Sequence, residues 1–209
     1  MKNKHTETRE TTVRRRDTLK AFLAMGLWLP IARSAKSNEE VANAPPQEND
    51  LFVFAFGDRE GEVITPEDLV TDAPLIFAYP MDPVTRVVRN GTRLNQVLLI
   101  RADSARLAEE TRARAAISIV AYSAVCTHTG CDITDWDPET RRLQCPCHDS
   151  QFDPADGARV VGGPAPRQLP SLPLKIDGGS LIVASEFQGR VGFQQPGADM
   201  FGFDLRETQ

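Results

Sequence analysis

The sequence predicts an all-β protein: an antiparallel β-sandwich with a smaller subdomain inserted at about 123–170 and one short helix. Three observations carry this. Short runs rich in β-branched and aromatic residues recur between turn signals. One stretch breaks this β pattern with a helix start signal. Every cysteine, and every histidine except His5, falls between Cys126 and His148. Scattered structural cysteines would not sort themselves this way, so one site built from two Cys-and-His loops organises the chain.

Taken in order, residues 1–35 read as a targeting segment. Arg14-Arg15-Arg16-Asp17-Thr18-Leu19-Lys20 precedes an apolar run at 21–32, and Arg33 and Lys36 follow. This is the basic n-region and short h-region of an export signal. A full span needs about 20 apolar residues, and Pro30 interrupts a shorter run. Ala42-Asn43-Ala44 offers an A-x-A cleavage pattern, so release and retention as an N-terminal anchor both stay open. Residues 36–50 are polar, carry Pro45-Pro46, and read as a linker or hinge.

The domain proper is expected at 51–187. Leu51-Phe52-Val53-Phe54-Ala55-Phe56 is a β-rich run and 75–79 another. Asn90-Gly91, between Val87-Val88 and the run at 96–100, signals a hairpin. Asp103 or Ser104 can cap a helix reaching about Ala115, with Glu110 and Arg114 paired at i,i+4. The run at 117–122 is the strand that delivers the first Cys/His loop. Near the end, 174–176 and 181–184 flank Asp177-Gly178-Gly179-Ser180, a second hairpin. From Gln188 onward an extension carries Phe193, Phe201 and Phe203, which would cover a sheet edge or meet a partner.

Charge narrows the partners. Of 24 basic and 29 acidic residues, eight and three lie in residues 1–35, leaving the rest with a net charge of −10. Such a body argues against nucleic acid and against anionic membrane surfaces. It could steer a basic redox partner such as a cytochrome, or serve solubility alone.

The site itself reads Cys126-Thr-His128-Thr-Gly-Cys131 and, further on, Cys145-Pro-Cys147-His148. Structural zinc favours C-x₂₋₄-C and H-x₃₋₅-H spacings and four donors. Here Cys147 and His148 are adjacent, and six donors would crowd one zinc ion. The pattern C-x-H-x-x-C…C-x-C-H resembles the Rieske iron–sulfur proteins, specifically those of the cytochrome bc type with a disulfide beside the cluster. The resemblance implies one [2Fe–2S] cluster, in which two histidines replace two thiolates on one iron and raise the potential. By motif position, Cys126 and Cys145 would hold the inner iron and His128 and His148 the outer one. Cys131 and Cys147 match the family's disulfide pair. A Rieske oxygenase would need a second iron on two histidines and a carboxylate, and no histidine remains for it.

Neighbouring residues extend the resemblance. Ser150 occupies the position whose hydroxyl donates to a bridging sulfide in the family, raising the potential. Phe152 stands where quinol-oxidising members usually carry a tyrosine, and Asp149 where glycine is usual. Both departures point to a potential below the family's upper end. Gly162-Gly163-Pro164-Ala165-Pro166 resembles the proline loop that covers the cluster. The N-terminal Arg14-to-Lys20 stretch resembles a twin-arginine signal, with threonine where phenylalanine is common.

The resemblance thus implies an electron-transfer subunit of a quinol–cytochrome c reductase on the periplasmic side of a cytoplasmic membrane. His148 would face quinol, and cytochrome b and c subunits would be the partners. The alternatives are the small subunit of a periplasmic oxidoreductase, such as a molybdenum-containing arsenite oxidase, or a free-standing carrier.

Overall fold

The computed structural model describes residues 37–71 and 73–193. The expected targeting segment and the tail bearing Phe201 and Phe203 lie outside the described residues. Within them the chain forms β1 (Leu51–Phe54), β2 (Ile76–Met81), β3 (Val97–Arg101), β4 (Ile119–Ser123), β5 (Asp135–Asp137), β6 (Arg142–Cys145), β7 (Ser150–Asp153), β8 (Arg159–Gly162), β9 (Leu174–Asp177) and β10 (Ser180–Val183). Two sheets result, a larger one ordered β4-β3-β2-β1-β10-β9 and a smaller one ordered β5-β6-β7-β8. All their strand pairs are antiparallel.

The larger sheet curls round its own core. Its inner face supplies Phe52, Ala78, Val97, Leu99, Ile119, Ala121, Leu181 and Val183. The curl closes where the Leu172 N–H donates to the Ala121 carbonyl (2.9 Å), just ahead of β9. Because side chains alternate along a strand, β3 and β4 send Leu98, Ile100, Val120 and Tyr122 the other way. There they pack against Ile133, Leu143, Phe152 and Leu169 of the smaller sheet and its loops. Strands apolar on both faces are what a sheet covered on both sides requires. Buried Tyr122 donates to the Pro154 carbonyl at 2.7 Å, which ties the second core across the two sheets.

The chain leaves the larger sheet at Ser123 and rejoins it at Pro170. The Ser123 N–H donates to the Pro170 carbonyl (2.9 Å), and Ser171 bridges back to Tyr122. The smaller sheet is therefore an insertion between β4 and β9, a tip joined at this neck and packed on the outer face of β3 and β4.

Three local expectations are corrected. The helix expected from about 103 to 115 is only α2 (Glu109–Arg112). Asp103 closes a turn by accepting the Ala105 N–H (2.9 Å), and the Ala108 N–H is drawn to the Ala155 carbonyl (2.9 Å). Arg112 folds back onto the Ser104 and Leu107 carbonyls. The hairpin expected at Asn90-Gly91 does not form. The reversal falls at 82–87, where the Asp82 N–H donates to the Val87 carbonyl (3.0 Å) and Val88 bridges Met81.

Gly91 instead meets the polar N-terminal stretch, which carries its own helix, α1 (Asn38–Asn43). Ser37 and Glu40 form a reciprocal capping box at its start. A Cβ on Gly91 would come 2.5 Å from the Asn43 side chain, so glycine there permits close approach rather than a turn. Arg89 is buried with Asp50 in a bidentate pair (2.6 and 2.9 Å) and donates to the Val41 carbonyl (3.0 Å). The stretch expected as a linker is thus docked on the domain from Ser37 onward. Among the described residues, no helix is long and apolar enough to cross a membrane.

Candidate metal centre

The first loop follows β4. It is closed by the Cys126 N–H donating to the Cys131 carbonyl (2.8 Å), the Gly130 N–H to the Cys126 carbonyl (3.1 Å) and the Ile133 N–H to the Ala124 carbonyl (2.8 Å). The second is the β6–β7 turn, in which Cys145 and Ser150 are register partners and the Asp149 N–H donates to the Cys145 carbonyl (3.0 Å). A Cys131–Cys147 disulfide joins the loops.

All seven residues expected at the site come together. Cys126 and Cys145 are buried free thiols. The rings of His128 and His148 meet edge to face with centroids 4.6 Å apart. The Cys145 sulfur lies within 4.8 Å of both disulfide sulfurs. That sulfur trio cannot itself hold a metal, since two of its members are bonded to each other. Burial is the main cause pushing the Cys126 thiol up to about 11. The His128 N–H and the Ser150 hydroxyl pull it down by hydrogen bonding, and neighbouring Cys145 pushes it up. A thiol in so dry a place as Cys126 ionises readily only against a cation.

Ser150 is fully buried. Its oxygen accepts the Ala165 N–H at 3.1 Å while its hydroxyl bonds towards Cys126, so the oxygen's acceptor role is fixed by the proline loop. Gly163 makes that contact possible. It holds φ at +77°, and a Cβ there would lie 2.5 Å from the Ser150 Cα. The first loop is tied to the same lid, for Thr127 donates to the Arg167 carbonyl (2.6 Å).

Asp149 has φ at +55°, the left-handed region that suits glycine. Aspartate tolerates it better than most residues, and Gln144 holds the carboxylate with a 3.0 Å hydrogen bond. Phe152 is wholly buried on β7 beside Leu143 and Val160. Sequence reasoning missed the Thr127 and Gln144 tethers, whose partners lie at separations or in turns that no local pattern announces.

The donors fit an iron–sulfur cluster. His128 Nδ1 is buried without a hydrogen-bond partner among the described residues, and a buried ring nitrogen left so is costly unless it binds something. Two buried sulfurs and two imidazoles form the mixed set that Rieske ligation uses.

Known proteins agree. A family model for the Rieske [2Fe-2S] domain matches residues 85–173. The chain is 32% identical over 203 residues to the putative respiratory nitrate reductase subunit Rieske of Haloferax mediterranei, covering 93% of this chain and 85% of that protein. It is 49% identical over 75 residues to the cytochrome bc1 complex Rieske iron-sulfur subunit of Streptomyces lividans, covering 35% of this chain and 44% of the relative. The corresponding subunit of Corynebacterium efficiens is 40% identical over 95 residues, with 43% and 23% covered.

The fold and site define an iron–sulfur electron-transfer protein, and the chain belongs to the Rieske [2Fe–2S] family. It holds one [2Fe–2S] cluster and serves as an electron-transfer subunit.

Proposed function

We propose that Cys126, Cys145, His128 and His148 ligate the cluster and that the chain is the quinol-facing subunit of a quinol–cytochrome c reductase. The observation that carries this is the lidded tip: a buried Ser150 locked by the proline loop beside an exposed His148. When bound, the cluster supplies a one-electron couple. His128 is half-buried, with its Nδ1 buried. His148 stands at the surface, where a ring nitrogen not used for ligation can take a hydrogen bond and then a proton from a quinol hydroxyl. The disulfide and the lid keep water from the thiolates.

Export by the twin-arginine route, with the N-terminal segment kept as an anchor, belongs to the same proposal. The Ala42 and Ala44 carbonyls accept from the Gly91 N–H (3.0 Å) and from Asn95 Nδ2 (2.8 Å). A cut after the A-x-A pattern would detach α1 from the folded domain on which it docks, which favours retention.

One observation favours a second reading. The relative matched along nearly the whole chain carries the name of a respiratory nitrate reductase subunit, so the electron could pass to a terminal reductase instead of a cytochrome c. Purifying the subunit with its native complex separates the two. Co-purified cytochrome b with quinol–cytochrome c reductase activity supports the first. A catalytic reductase, with no quinol-driven reduction of cytochrome c, overturns it.

A further inference from the structure

Residues beyond the family match return to the tip. The Gln188 N–H donates to the Ser171 carbonyl (2.7 Å), a Cβ on Gly189 would lie 3.9 Å from Pro170, and the Arg167 guanidinium donates to the Gly192 carbonyl. Gly192 is buried and lies near Leu94 Cδ2, 3.7 Å from where its own Cβ would stand. Phe193, the next residue, lies against the first cluster loop. A Cβ on Gly130 would lie 2.7 Å from the Phe193 ring and 3.5 Å from Arg93 Nη2. Arg93 also pairs with Asp132 at 2.8 Å.

We propose that Phe193 is a positioning residue for the first cluster loop: its ring clamps Gly130 and so holds the His128 imidazole in place. The reasoning is mechanical. The second loop is gripped by the β6–β7 ladder, by the Gly163 lid and by Gln144. Among the described residues, the first has no flanking ladder beyond the single bridge between Val125 and Asp132. Apart from the Cys131–Cys147 disulfide and the Thr127 tether, its outer flank rests on two non-covalent contacts, the Phe193 ring and the Arg93–Asp132 pair. Of these the exposed ion pair contributes little, so the ring carries the greater share. Gly130 is two residues from His128 and one from Cys131, and its φ of +83° already demands glycine. The absent side chain lets the aromatic ring lie directly on the backbone. Arg167 is the junction, with its carbonyl holding Thr127 and its guanidinium holding Gly192.

The proposal rests on His128 being a ligand, and the two can fail separately. A wild-type protein lacking the mixed-ligand EPR signal would overturn the ligand assignment itself. With that signal present, cluster-loaded full-length Phe193→Ala and Phe193→Leu are compared with wild type for bleaching rate, EPR g-values and melting of the β-sheet domain. Phe193 is 39% exposed, so truncation forfeits part of a ring's burial, and loop opening should increase about tenfold. Phe193→Ala should therefore bleach about tenfold faster with shifted g-values and unchanged melting, while Phe193→Leu restores most of the loss. Arg167→Met, which keeps the carbonyl for Thr127 but frees Gly192, should resemble Phe193→Ala. Bleaching and g-values of Phe193→Ala indistinguishable from wild type would overturn the proposal. So would faster bleaching that only tracks a fall in domain melting and is not rescued by leucine.

Discussion

Replacing Ser150 by alanine removes two hydrogen bonds of opposite sense from a fully buried position. The oxygen no longer accepts from the Ala165 N–H, and the hydroxyl no longer bonds towards the Cys126 sulfur. The first loss leaves a buried donor unpaired and should destabilise the lid by about 1–3 kcal/mol. The second acts on the redox couple. A hydrogen bond to a charged acceptor is worth about 1.5–3 kcal/mol, but only the difference between oxidised and reduced forms counts. Taking that difference as roughly 1 kcal/mol, and 59 mV as a tenfold change for one electron, the potential should fall by roughly 40 mV. The sign is fixed, because a donor favours the more negative, reduced state. Redox titration of wild type and Ser150→Ala at one pH, with EPR to verify an intact cluster, reads the shift. An intact cluster at unchanged potential would refute the role given to this hydroxyl.

The remaining expectations concern the same tip. Replacing both Cys131 and Cys147 by serine opens a cross-link spanning 16 residues, worth about 3 kcal/mol on loop-closure grounds, so the cluster should become labile at unchanged ligation. Bleaching as slow as wild type would contradict the structural role of the disulfide. Phe152→Tyr should raise the potential by tens of millivolts if the added hydroxyl reaches a ligand thiolate; redox titration decides, and a fall would reverse the logic. Gly163→Ala places a methyl 2.5 Å from the Ser150 Cα at a positive φ. It should lower stability by about 2 kcal/mol or more, and an unshifted melting curve would show that the lid does not pack this way.

What the sequence disclosed and concealed divides by range. The ligand loops are local, so their letters sufficed, and β9 and β10 flank Asp177-Gly178-Gly179-Ser180 much as the turn chemistry demands. The run 103–115 looked helical because propensity sums over neighbours. Two distant groups, the Ala155 carbonyl and the apolar core around Leu107, take over its first half. Asn90-Gly91 carried a hairpin signal, but its actual neighbour is α1, nearly fifty positions earlier. That helix was legible after all: Ser37 and Glu40 spell a capping box. Pro45-Pro46 and the polar composition masked it. The contacts of Thr127, Gln144 and Phe193 could not be read locally, because each depends on where another segment happens to return.

The two-faced β3 and β4 make cofactor loss a solubility problem. Leu98, Ile100, Val120 and Tyr122 are dry only while the tip lies over them. A tip that loosens without its metal uncovers a contiguous apolar sheet face, the kind of surface that adheres to its own copies. Folding and aggregation would then compete for the same newly made chain, and a tip that stays seated keeps the finished molecule from sticking to its siblings.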